Sequence, residues 1–94
     1  DGPSAGCAIT CAILSAIEKK PLRQDIAITG EIALSGEVKP VGGIHEKAFG
    51  ARQAGMKAMI LPEKNKSDID KGTAGIAIRP VANIRDVWEI MTGK

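Results

Sequence analysis

The chain of 94 residues contains no tyrosine, one phenylalanine and one tryptophan. Single-stranded nucleic acid is usually held by bases stacking on aromatic faces, so that class of partner is disfavoured. An excess of one charge is also lacking. Thirteen Lys and Arg stand against eleven Asp and Glu, and a formal net charge of +2 with scattered basic residues builds neither a polyanion-binding nor a membrane-binding surface. With one histidine and no CxxC pair, the ligand supply for zinc is poor and no metal is expected. Cys7 and Cys11 lie one helical turn apart, a poor disulfide framework, and read as buried thiols of a reducing compartment. No apolar run approaches the roughly 20 residues that span a bilayer. No basic-then-apolar leader opens the chain, so neither a membrane nor export is expected and the expected location is the cytoplasm. The first residue is Asp1 rather than Met, inside what reads as a motif, which leads us to expect a fragment.

What is present suits one small domain. A hydrophobic content of 44% supplies a core, though a thin one at this length. Residues 5–19 are apolar on nearly every side, which predicts a helix packed on both flanks, with Ala8, Ala12 and Ala16 as a narrow face and Ile9, Ile13 and Ile17 as the bulk. Pro21 ends it. Glycine-punctuated, β-branched sequence then predicts two or three strands: residues 26–29 feed a hairpin of residues 31–34 and 37–41, turning at Ser35-Gly36. A second helix is expected over residues 44–54, closed by Gly55 in the left-handed conformation. MKAMILP reads as a short buried strand, SDIDK as a brief helical turn capped by Ser67, and GIAIRPV as another strand. Asn83, with Asp86 three residues on, announces a last helix burying Val87, Trp88 and Met91. Alternating elements of this kind predict an α/β (α+β) fold, a mixed sheet with packed helices. Lys64, Lys66, Asp68, Asp70 and Lys71 read as a solvated loop.

The opening DGPSAG fixes Ser4 at a helix start, where several amide N–H groups lack intrahelical partners and the dipole is positive. Two readings are open: Ser4 caps the helix, or it is a nucleophile or anion-binding group. As a nucleophile it needs a base. His45 lacks an evident carboxylate to orient its imidazole. Lys47, at the end of GGIHEK, lies in the first turn of the second helix on its inward side, where burial and the helix dipole both disfavour the charged ammonium. The alternative is a lysine that snorkels to solvent. A phosphate-binding loop is a third possibility, but Gly30, Gly42 and Gly43 match neither GxGxxG nor GxxxxGK.

Taken together, DGPSAG, TGE at residues 29–31 and GGxxEK at residues 42–47 resemble the proteolytic domain of the Lon family of ATP-dependent serine proteases, and the resemblance runs through LPEKN to the last helix. It implies the Lon protease-domain fold, of the ribosomal-protein-S5-domain-2-like type. Residues 1–94 would form the C-terminal portion of that domain, without the preceding strands or the ATPase module. It further implies that Ser4 is the nucleophile and Lys47 its partner in a Ser-Lys dyad, 43 positions apart as in the family. The backbone amides of Ser4, Ala5 and Gly6 would form the oxyanion hole. Thr29 would orient the lysine through its hydroxyl, with Asp1 and Glu31 as supporting or subunit-contact residues. The implied activity is endopeptidase cleavage of unfolded or damaged polypeptides. ATP and magnesium would act in the ATPase module of the intact protein and no cofactor in this chain, and the intact protein would be a homo-oligomer, a hexameric ring. The competing expectation is a non-catalytic assembly module of the same fold, or an inactive fragment.

Overall fold

The computed structural model describes residues 6–68 and 75–93. The predicted capping position Ser67 falls inside the helical turn and not at its start, because that turn lies further upstream, over Glu63–Asp68 as a 3₁₀ helix. Residues 69–74, which hold most of SDIDK, and residues 1–5 lie outside the described residues.

Helix α1, Gly6–Glu18, is followed by strands β1, Ile26–Ile28, β2, Glu31–Ile32, and β3, Val38–Lys39. Then come helix α2, Ile44–Gln53, strand β4, Ala58–Pro62, the 3₁₀ helix, strand β5, Ala77–Val81, and helix α3, Ile84–Thr92. Strands β1, β4 and β5 form a parallel sheet in the order β1-β4-β5, with Ile26 opposite Ala58, Ile28 opposite Ile60 and Ala58 opposite Ala77. The antiparallel pair β2-β3 is separate. Both strand orientations are therefore present, each in its own sheet.

The central strand β4 is buried at all five positions and its alternation divides the core. Ala58 and Ile60 pack with Cys7 and Cys11 of α1 and with Val87 and Met91 of α3. Met59 and Leu61 pack with Ile44, Ala48 and Ala51 of α2. The result is three layers, with α1 and α3 on one face of the sheet and α2 on the other.

Local chemistry sets the helix ends. After α1, Lys19 takes φ 56 and the Lys20 N–H donates to the Ser15 carbonyl, a Schellman ending with lysine where glycine is usual and Pro21 just beyond. After α2, Gly55 takes φ 82, its N–H donates to the Arg52 carbonyl, and the Met56 N–H donates to that of Ala51, the same motif with its ordinary residue. Asn83 caps α3 by accepting the Asp86 N–H at 3.0 Å, while the Asp86 carboxylate accepts from the Ala82 N–H.

Further expectations need correction. The hairpin turns one residue earlier than Ser35-Gly36: the Gly36 N–H donates to Ala33, which leaves Leu34 and Ser35 as the central pair and Gly36, at φ 92, as the bulge that restores strand twist. Its strands are also shorter than expected. Among the described residues helix α1 buries only one flank, where Cys7 and Cys11 are fully buried while Ile9, Ile13 and Ile17 remain 57%, 55% and 65% exposed. Among the described residues, no helix is long and apolar enough to cross a membrane.

Candidate active site

The start of α1 is seated on the corner between β1 and β2. Gly6 approaches so closely that a Cβ there would meet the Ile32 nitrogen at 3.3 Å and the Gly30 oxygen at 3.7 Å. This gives the last glycine of DGPSAG a physical reason, because backbone lies against backbone. One residue on, the Cys7 N–H donates to the Gly30 carbonyl at 3.0 Å. A Cβ on Gly30 would fall 2.9 Å from the Cys7 Sγ and 3.0 Å from Val38 Cγ1, so glycine is required on this side of the contact as well. Burial, with a smaller push from Cys11, raises the Cys7 thiol to about 11.

Thr29 lies in that corner. Its N–H donates to Ile60 of β4 at 2.9 Å, its side chain is 4% exposed, and its buried hydroxyl has no hydrogen-bond partner among the described residues. A buried hydroxyl left unmatched costs about 1–3 kcal/mol. Glu31 is half-buried opposite Lys39 in the hairpin.

Lys47 belongs to a second cluster. Gly43, at φ 70, starts α2 without a side-chain cap. The Lys47 N–H donates to the Gly43 carbonyl, and its Nζ folds back to donate to the Gly42 carbonyl at 3.0 Å. The side chain is half-buried beside the inward Ile44, Ala48 and Ala51, whereas His45 and Glu46 are exposed. A residue not singled out from the sequence anchors this cluster: Asn65, 4% exposed, accepts the Val41 N–H at 2.9 Å and donates to the Val41 carbonyl at 2.8 Å.

Both clusters sit at the carboxyl ends of parallel strands, Thr29 just after β1 and Asn65 in the 3₁₀ helix after β4, the edge at which open α/β sheets gather their ligands. Asp1, Ser4 and Ala5 lie outside the described residues. Among those described, no group of three or more His, Cys, Asp or Glu is placed to hold a metal.

The start of α1 and the lysine-bearing start of α2 each precede a strand of the parallel sheet, β1 and β4. Comparison with known proteins identifies the family. Residues 1–92 match the Lon protease (S16) C-terminal proteolytic domain, and the chain belongs to the Lon protease family. It is 43% identical over 98 residues to the Lon protease of Trichlorobacter lovleyi, covering all of this chain and 12% of that protein. The Lon protease of Fusobacterium nucleatum is 55% identical over 71 residues, which cover 76% of this chain and 9% of that protein. The mitochondrial Lon protease homolog of Bos taurus is 45% identical over 94 residues, covering 96% and 10%. The chain thus spans about a tenth of the length of these curated relatives.

Proposed function

We propose that this chain carries the nucleophile and base of an ATP-dependent serine endopeptidase, with Ser4 and Lys47 as a catalytic dyad. The observation that carries the reading is the buried Thr29 hydroxyl, without a hydrogen-bond partner among the described residues, next to the corner that receives the start of α1. Ser4 is two residues upstream of Gly6, a reach of at most about 7–8 Å at 3.8 Å per Cα step. The Lys47 amine donates to the exposed Gly42 carbonyl, and its catalytic role requires it to exchange that bond for one to the Ser4 hydroxyl.

The chemistry follows from those parts. The Ser4 hydroxyl attacks the scissile carbonyl while Lys47 takes its proton and then delivers it to the departing amine, leaving an acyl ester on Ser4 that water cleaves with Lys47 again as base. In this reading the Lys47 amine, on leaving the Gly42 carbonyl, also meets the Thr29 hydroxyl, which then orients it without adding charge. The backbone amides of Ser4, Ala5 and Gly6 are the donors for the developing oxyanion. The next amide, Cys7, is already engaged by Gly30 and holds the helix in place instead. Asp1 and Glu31 support this arrangement. Each oxyanion donor contributes on the order of 10²–10³ in rate, which gives a close-packed helix start a catalytic purpose.

In the intact protein this domain serves a hexameric ring that uses ATP and magnesium in a separate module to deliver unfolded polypeptides. Two free, buried thiols suit a reducing compartment such as the cytoplasm. The test is peptide hydrolysis by the intact protein: Ser4→Ala and Lys47→Ala each abolish it while ATP hydrolysis continues. Hydrolysis that survives Lys47→Ala reassigns the base.

A further inference from the structure

We infer that Asn65 is a positioning residue for the catalytic lysine, acting through the backbone that seats it; the inference rests on Lys47 being the base. The loop from β3 to α2 leaves the ladder after Lys39, and Val41 must find partners for both of its backbone groups. The Asn65 carboxamide supplies both, accepting from the Val41 N–H at 2.9 Å and donating to the Val41 carbonyl at 2.8 Å, in the manner of an adjoining strand. A primary amide is the shortest side chain that offers one acceptor and one donor in a single plane.

The clamp is buried, and Asn65 is delivered by the 3₁₀ helix directly after β4, the most buried strand of the fold. Rigidity therefore passes from β4 through Asn65 to Val41. The next residue, Gly42, provides the carbonyl that holds the Lys47 Nζ at 3.0 Å. The one after, Gly43, starts α2 in the left-handed conformation and accepts the Lys47 N–H. Asn65 thereby fixes the backbone from which Lys47 projects and the carbonyl on which its amine rests. The asparagine of LPEKN and the glycines of GGIHEK, 22 and 23 positions apart in sequence, form one device.

Positioning and mere stability are separable by kinetics. In the intact protein, Asn65→Ala lowers kcat for a fluorogenic peptide by about tenfold to a hundredfold, the scale of a displacement near 1 Å at the reacting groups, and leaves KM and ATP hydrolysis unchanged. Asn65→Asp keeps the acceptor for the Val41 N–H but loses the donor to its carbonyl, and gives an intermediate kcat even if Asn65→Ala fails to fold. Asn83→Ala is the control: it removes an asparagine that also bonds backbone, at the cap of α3, and kcat stays within twofold of the parent. The inference is overturned if folded Asn65 variants keep the parental kcat, or lose no more of it than Asn83→Ala. If Lys47→Ala itself retains activity, the assignment of the base has failed instead, and the two failures are told apart in one assay series.

Discussion

Gly30→Ala tests the seat of α1 directly. The added methyl would lie 2.9 Å from the Cys7 Sγ and 3.0 Å from Val38 Cγ1. Neither neighbour has room to move, since Cys7 and Val38 are both essentially fully buried. Overpacking of a closed core costs about 1–3 kcal/mol. With a urea slope of about 1 kcal/mol/M for a domain of this size, the unfolding midpoint should fall by about 1–3 M. Equilibrium unfolding of the chain in urea, followed by Trp88 fluorescence, measures it. The cause can be isolated with Cys7→Ala, which deletes the sulfur atom the new methyl meets. If the account is right, the double variant is less destabilised than the sum of the two single variants, by at least about 0.5 kcal/mol. Strict additivity, or a Gly30→Ala cost below about 0.5 kcal/mol, would show that Gly30 is not held by this contact.

Further outcomes follow from the same structure. Because burial raises the Cys7 thiol to about 11, the unfolded chain ionises first as pH rises above 9. Stability is therefore intact below pH 9 and falls between 9 and 11, by up to about 1.4 kcal/mol per pH unit, and urea titrations of the chain against Cys7→Ala isolate this slope. A disulfide-exchange reagent at pH 8 should label neither Cys7 nor Cys11 until denaturant is added, both being fully buried. Lys19→Gly should stabilise the chain by about 0.5–1 kcal/mol, since a β-carbon at φ 56 is strained at the end of α1; unchanged or lower stability in urea refutes that reading of the helix end.

Much of the scaffold was legible because it repeats on short periods. The limits of α2 follow from Gly43 and Gly55, the cap of α3 from Asn83 and Asp86, and the two-sided burial of β4 from an unbroken AMILP. The hairpin was misplaced by one residue because Ser35-Gly36 satisfies the composition of a two-residue turn, whereas a three-residue loop with Gly36 as its bulge twists the short strands better. The second flank of α1 looked buried because isoleucine at every fourth position has the composition of a core, yet no described element covers Ile9, Ile13 and Ile17. At the site, the resemblance to the Lon family singled out Thr29, and the resemblance together with its place in the second helix singled out Lys47. Asn65 and the Cys7–Gly30 contact left no such trace, since a side chain bonding to backbone 24 residues away has no period.

The central claim is that Lys47 removes the proton of Ser4. It is tested most directly by a fluorophosphonate, which reacts only with an activated serine, applied to the intact protein with the labelled peptide mapped by mass spectrometry. The account predicts a single adduct on Ser4 that forms at least about a hundredfold more slowly in Lys47→Ala. An adduct on another residue, or labelling of Lys47→Ala at the parental rate, would contradict it.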